Sequence, residues 1–486
     1  MILQRTAFPK ESFGCHELYY ILNGTGERVN NSLKIGKGTT ISTLTYVNCF
    51  DTWAWNKYTG LDNWKLEALV WGNLTLRLFQ WNGEKKLIAE TQINTSKKEI
   101  LTLEFSHSKE GSLVFFEIEA KGEAILYNAN YKAEVAPGII NRVHLSVLIC
   151  TYNRNKELYQ SLEVLSNSIF FDKTSICYGS MSVRIVDNAS QLPIIAEDLI
   201  KLYHNPNTGG SGGFTRGIIE SRKDEAKYEI SHVVFMDDDA EVEEESLYRL
   251  YILLSLIKSS YKNEVVAGRM FDLNKKFIQY TASEIWNKGD IKHVGFKLDM
   301  GSRENLLEMN RKQGQYAGWW FACYPMSFVR NETPLPFFIH CDDVEYGLRH
   351  GGTPIILNGI QAWHETYETR LSPLICYYDT RNTMIVNTIY NQYKNKNELL
   401  KKWYLSLIYA LRAKEYYKVF PSLLALIDYL KGSNYFMSQT MKKEKVDKPI
   451  FVGLTITLVL AIVQFPIFRH RLKYAFPSYK EINKKT

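Results

Sequence analysis

The sequence predicts a multi-domain α/β chain: an N-terminal β-sandwich of jelly-roll type, a central Rossmann-like α/β domain and a C-terminal helical domain. Three observations carry this. Between residues 32 and 135 short runs alternate apolar and polar side chains at period two, as half-buried strands do. From residue 143 to 240 continuous apolar runs end in polar clusters and alternate with helix-like stretches. That is the order of a parallel sheet whose ligands lie outside the carboxyl ends of its strands. Beyond residue 399 apolar residues recur at gaps of three and four, which is one face of a helix. The expected domains are residues 1–140, 141–390 and 391–486.

A chain of 486 residues is too long for one core. Its 45% hydrophobic and 23% charged content excludes a disordered protein. The net charge of +7 hides an asymmetry, because residues 391–486 hold 18 Lys and Arg against 6 Asp and Glu. The excess predicts a negatively charged partner at that end. A nucleic acid does not fit, since the charge sits among apolar helical stretches with no recognition motif. Seven scattered cysteines without a Cys-x-x-Cys pair suit reduced cytoplasmic thiols better than disulfides or zinc. Met1 to Ser12 has no apolar core, so no signal peptide is expected.

In the first domain Leu74–Leu78, Leu101–Phe105 and Phe116–Ala120 alternate, with turns expected at Trp81-Asn82-Gly83 and Lys121-Gly122. Trp53, Trp55, Trp64, Trp71 and Trp81 crowd this region. Core packing is expected of them ahead of sugar stacking. After Ala136-Pro137-Gly138, the strand Val143–Ile149 runs into Cys150-Thr151-Tyr152-Asn153-Arg154, and Met181–Val186 into Asp187-Asn188. Leu199–Tyr203 leads to Asn207 and the glycine-rich stretch from Gly209 to Gly213, and Ser231–Phe235 to Asp237-Asp238-Asp239. The glycine-rich stretch is neither a Walker loop nor a good dinucleotide fingerprint. Its glycines allow close backbone approach to a ligand, or simply a flexible turn.

On an extended backbone Asp237 and Asp239 face one side and Asp238 the other. Two such carboxylates repel unless a cation lies between them, and Mg²⁺ or Mn²⁺ suits oxygen ligands. A solvated strand end or a helix start is the alternative. Asp342-Asp343 stands where a helix should begin and Gly351 where it should end. These carboxylates either cap the helix or offer an ionised base to an incoming hydroxyl. Trp319-Trp320 could stack a sugar or form a buried cluster. His364 follows Trp363, and imidazole is a common metal ligand as well as a common core side chain.

Taken together, Thr151-Tyr152-Asn153-Arg154, Asp187, Asn207 with Gly209–Gly217, Asp237-Asp238-Asp239, Trp319-Trp320, Asp342-Asp343 and Trp363-His364 occur in an order that resembles inverting GT-A glycosyltransferases of family 2, specifically galactofuranosyltransferases. The resemblance covers the whole chain and implies transfer of galactofuranose from UDP-galactofuranose to a lipid-linked or polysaccharide acceptor in cell-surface glycan synthesis. It implies that Thr151, Tyr152, Arg154, Asp187, Asn207, Gly209 and Asp238 line the nucleotide-sugar site. Asp237, Asp239 and His364 would then bind Mn²⁺ or Mg²⁺. Asp343 would be the catalytic base, and Trp319, Trp320 and Asp342 would meet the acceptor. Cys341 and Asp379 depart from the family pattern, which has Trp and His there; both lie on the expected acceptor side. A rhamnosyl or other nucleotide-sugar transferase is the neighbouring reading, and a non-catalytic carbohydrate-binding scaffold the reading of another class.

In the tail Leu400, Trp403, Leu407 and Leu411 should share one helix face, as should Phe420, Leu423, Leu424, Ile427 and Leu430. Pro449–Phe468 is twenty residues without a charge, long enough to span a bilayer but interrupted by Gln464 and Pro466. An interfacial helix is preferred to a single span. The expected location is cytoplasmic, peripheral on the inner face of the cell membrane, with a polyprenyl-linked acceptor there. Self-association as a homo-oligomer is compatible with this.

Overall fold

A computed structural model of the chain describes residues 1–9, 15–30, 32–107, 112–366, 372–438 and 465–482. The N-terminal part is built on three long antiparallel strands, β1 (Asn63–Trp81), β2 (Lys85–Ser106) and β3 (Leu113–Lys132). β1 lies between β2 and β3. Along its other edge β3 receives Phe50–Asp51, Thr40–Ser42, Ser32–Ile35 and Ile2–Arg5 in succession. The alternating runs are therefore windows on much longer strands. Trp81-Asn82-Gly83 does join β1 to β2, but the turn expected at Lys121-Gly122 is absent: β3 runs through it. The break is absorbed by a register shift opposite, at Gly72. Gly72 has φ +102°, and a Cβ there would overlap Glu123 O, so glycine is required. Trp55 and Trp64 pack in the core with Phe50 and Phe105, whereas Trp53, Trp71 and Trp81 are only half-buried.

The central sheet contains the parallel strands β4 (Leu145–Thr151), β5 (Met181–Asp187), β6 (Ile200–His204) and β7 (His232–Asp237). Beyond them come β8 (Glu241–Val242), β9 (Arg269–Asp272), β10 (Phe321–Pro325) and β11 (Gln361–His364). The main sheet runs β6-β5-β4-β7-β10 and ends on Val266–Ala267. A second sheet carries β8, β11 and β9 in that order. β4, β5 and β7 read as near-continuous apolar runs because both their faces are covered. Helix α1 (Asn155–Ser166) follows β4. The glycine-rich stretch is not a loop: it is the first turns of α2 (Gly209–Tyr228). A Cβ on Gly213 would overlap Cys150 Sγ, and one on Gly217 would lie 3.1 Å from Leu148 Cδ1. The glycines let α2 lie close on β4.

Helix α3 (Asp342–His350) begins at Asp342 and ends at Gly351, φ +76°, as expected. The C-terminal helices are α4 (Pro373–Ile389), α5 (Lys396–Arg412), α6 (Val419–Tyr429) and α7 (Phe465–Lys480). Leu400, Trp403 and Leu407 are buried as predicted, with Leu411 at the margin. On α6 the fully buried stripe is Val419, Leu423 and Leu426, continuing to Leu430 just beyond it; Phe420, Leu424 and Ile427 lie to its side. Of Pro449–Phe468 all but the last four residues fall outside the described residues. Among the described residues no helix is long and apolar enough to cross a membrane.

Candidate active site

Parallel pairing sets Cys150 beside Asp237 and Thr151 beside Asp187, so β4, β5 and β7 end on one edge. Two residues past Asp239 the chain enters β8, which pairs antiparallel with β11, Glu241 opposite Trp363. This brings His364, the last residue of β11, against the triplet. His364 Nε2 lies 3.0 Å from Asp239 Oδ1 and 3.5 Å from Asp237 Oδ2. The three side chains offer ligand atoms all within 4.8 Å of one another.

The donor set fits a divalent cation on its own chemistry. His364 Nδ1 lies 2.8 Å from Glu365 O, a carbonyl that can only accept, so the imidazole directs Nε2 at the carboxylates. Two carboxylates facing an imidazole nitrogen need positive charge between them. Burial, reinforced by Asp239 and Asp238 against the pull of His364, pushes Asp237 up to about 6; a cation reverses that sign. β7 ends at Asp237 and the chain turns at Asp238 and Asp239, so the expected alternation along an extended strand does not reach this pair; Asp238 is held instead by hydrogen bonds. It accepts from Thr151 Oγ1 (2.7 Å) and Arg154 Nη1 (3.2 Å), and Arg154 also reaches Asp239.

The Asp187 carboxylate accepts from the N–H groups of Ala189, Gln191 and Leu192 at 2.7–2.8 Å and is 1% exposed. These bonds shape the loop that follows β5. Asn207 Oδ1 accepts from Gly209 N–H at 3.2 Å, while Tyr152 is 51% exposed beside the strand end. A cavity of about 900 Å³ adjoins the triplet, lined by Arg154, Gln160, Asp239, Glu243, Trp363 and, from the N-terminal part, Phe8.

On the opposite side Asp342 Oδ2 accepts from Ser211 Oγ at 2.8 Å, which ties the start of α3 to that of α2. Asp343 follows, accepting from Val344 N–H at 2.7 Å. The helix start is not the only influence on the charge of Asp343. Burial, then the neighbouring charges of Asp342 and Glu284, push it well above the usual carboxylate range. Asp237 adds a smaller contribution to the rise. Trp319 and Trp320 are core residues, 5% and 2% exposed. Trp319 stacks on Phe235 at 4.7 Å and Trp320 Nε1 donates to Gly268 O. Neither indole presents an open face to a sugar.

Residues 146–316 match the model described as Glycosyl transferase family 2. Over those residues the central part of the chain is similar to family 2 glycosyltransferases. Residues 3–134 match the model described as Galactofuranosyltransferase 2 N-terminal. The chain is similar to galactofuranosyltransferase GlfT2 of Mycolicibacterium smegmatis, 25% identical over 428 residues, with 80% of this chain and 65% of the relative covered. It is also similar to GlfT2 of Mycobacterium tuberculosis, 25% identical over 426 residues, with 79% and 65% covered. The chain thus spans just under two thirds of the length of these relatives. Among solved structures it is similar to a mannosyltransferase from Pyrobaculum calidifontis in complex with GDP-Man and Mn²⁺, at 12% identity and TM-score 0.32, covering 73% of this chain and 91% of that one.

Several side chains that shape the glycosyltransferase site were missed in the sequence. Asn188 Nδ2 donates to Gly209 O (2.9 Å) and Asn205 Nδ2 to Asn188 Oδ1 (2.8 Å), latching the start of α2 to β5. Glu284, 3% exposed, lies near Asp343 and binds His293 Nδ1 at 2.7 Å. Ser211 could have been noticed as the polar residue inside the glycine run. Glu284 gave no signal, because an isolated Glu in an alternating stretch reads as solvated.

Proposed function

We propose that this chain transfers galactofuranose from UDP-galactofuranose to a hydroxyl of a lipid-linked or polysaccharide acceptor, inverting the anomeric centre, in cell-surface glycan synthesis. The observation that carries the reading is the cluster of Asp237, Asp239 and His364, whose ligand atoms lie within 4.8 Å of one another, together with a second carboxylate pair, Asp342 and Asp343, at the start of α3, which Ser211 ties to α2. Their union suits a displacement in which a diphosphate leaves and a hydroxyl loses its proton. The names and N-terminal match of the relatives support the galactofuranose donor.

Asp237, Asp239 and His364 would hold Mn²⁺ or Mg²⁺, which when bound supplies positive charge to the leaving diphosphate. Arg154, with Thr151, Tyr152, Asn207 and Gly209, binds the nucleotide half. Arg154 is half-exposed over Asp238 and Asp239, so it can turn to phosphate. Asp238 holds Thr151 and Arg154 in register rather than touching the ion. Asp343 Oδ takes the proton of the acceptor hydroxyl as that oxygen attacks the anomeric carbon, and Asp342 is fixed beside it by Ser211. A carboxylate whose pKa is raised is a stronger base than a free one. One displacement needs no nucleophilic carboxylate.

The C-terminal helices leave Tyr404, Leu405 and Tyr409 exposed on α5 and Tyr474 on α7, among Lys401, Lys402, Arg412, Arg471 and Lys473. Aromatic and basic residues together suit anionic headgroups, so we place the enzyme at the inner membrane surface, where a polyprenyl-linked acceptor is presented. The test is product analysis with UDP-galactofuranose, Mn²⁺ and a lipid-linked galactoside. Galactofuranosyl product is expected. Release of dTDP from dTDP-rhamnose without any UDP release reassigns the donor, and no release from either leaves a carbohydrate-binding scaffold.

A further inference from the structure

The segment that delivers Asp342 and Asp343 has an unusual backbone. Phe338, His340 and Cys341 have φ of 76°, 63° and 64°, the left-handed region that bulky L-residues avoid. Three such residues in four positions persist only where the surroundings hold them. The hold comes from two sides. From α2, Ser211 N–H donates to Phe338 O at 3.2 Å. From α4, Arg381 Nη2 donates to Phe337 O (2.8 Å), and Asn382 Nδ2 donates to Ile339 O (2.8 Å) and His340 O (2.9 Å).

The clamp is itself fixed. Asn382 is fully buried and Arg381 is 7% exposed. Arg381 Nε donates to Asn382 Oδ1 at 2.9 Å, which orients the amide so that its NH₂ group faces the segment. The guanidinium lies 4.9 Å over the Tyr378 ring, and that ring stacks on Phe338 at 5.1 Å. At the rim, Asp379 pairs with His340 at 2.5 Å. Four residues within a five-residue stretch of α4, Tyr378, Asp379, Arg381 and Asn382, thus grip the four residues before Cys341. Released, the segment would relax to ordinary backbone angles and turn both carboxylates away from the metal side.

We propose that Arg381 and Asn382 are positioning residues, whose side chains pin the strained 337–341 segment so that Asp343 faces the acceptor hydroxyl. The proposal rests on the reading of Asp343 as the base. It makes α4, the helix on which the later helices pack, part of the active centre.

The test compares Asn382→Ala and Arg381→Lys in the full chain. Lysine keeps the charge but loses the planar fork. Asn382→Ala should lower kcat by about 10- to 100-fold, the size a misplacement near 1 Å brings, while KM for the nucleotide sugar stays within about twofold. Backbone amides of residues 337–343 should exchange faster with solvent, and Arg381→Lys should fall between. Should Asn382→Ala fail to fold, Asp379→Asn opens the clamp at its half-exposed rim and should speed the same amides. Unchanged kcat and unchanged exchange overturn the proposal, as does a loss shared equally by donor binding. A wild-type chain that transfers no sugar overturns the transferase reading instead, and the exchange rates still decide the clamp.

Discussion

At the scale of the residue, the site is a balance of charges that no single side chain explains. Asp237 and Asp239 were legible as neighbouring carboxylates, although a turn after β7, not the strand alternation expected of them, sets both beside His364. His364 was not: a lone histidine has many uses, and only the pairing of β8 with β11 shows why this one meets the triplet. His364→Ala removes the neutral donor and should weaken Mn²⁺ binding by at least about tenfold, read by titration calorimetry with Mn²⁺ alone. Binding unchanged from wild type would remove His364 from the ligand set. Asp343 stands at a helix start, and the partial burial and the charges of Asp342 and Glu284 that raise it lie beyond any local pattern. A base must be deprotonated, and a raised pKa moves that requirement upward. Activity should therefore fall as pH drops through a value above the usual carboxylate range, roughly pH 4, rather than below it. Asp343→Asn should cost kcat about 10²- to 10⁴-fold and abolish that acid limb. A residual limb in the variant would assign it to another group.

At the scale of the element, glycine patterns mislead when they are read as loops. Gly209 to Gly213 looked like a cradle, yet the same residues open a helix of twenty. Gly209, φ +68°, lets the chain pass under Phe338 O, and Gly213 admits Cys150 Sγ. Packing against β4 thus accounts for Gly213 and Gly217, while Gly209 at the start of α2 stays with the proposed nucleotide site. Gly213→Ala should overpack this contact and cost about 1–3 kcal/mol, seen as a lower melting temperature with Mn²⁺ affinity retained. A variant as stable as wild type would show that Cys150 yields, returning the glycine to a role at the ligand. The aromatic pair is the counterpart. Trp319 and Trp320 carried a stacking reading because the sequence shows which rings exist but not which faces are covered.

At the scale of the whole molecule, the N-terminal β-rich part and the glycosyltransferase domain are joined through buried charge. Fold class was readable from periodicity, since period two, buried runs and period 3.6 each mark a different environment. The joint was not, because its partners are hundreds of residues apart. Arg249, fully buried, reaches Glu245, Val47 O and Asn358 O, and Arg5 reaches Glu244 and Glu245. Asp51, also fully buried, caps the helix Thr52–Thr59 and accepts from Asn310 Nδ2 (2.9 Å) and Arg311 Nη1 (2.6 Å). Asn310 in turn donates to Asn358 Oδ1 at 3.2 Å, three residues before the strand that ends at His364. Asp51→Ala leaves Arg311 facing an interior without its counter-charge, a loss of about 3–5 kcal/mol. Urea unfolding followed by tryptophan fluorescence should show one transition shifted to lower denaturant, with Mn²⁺ binding lost across the same range. Two transitions, of which only the first moves while Mn²⁺ stays bound, would mean that the β-rich part unfolds by itself and that the joint carries no stability to the metal ligands.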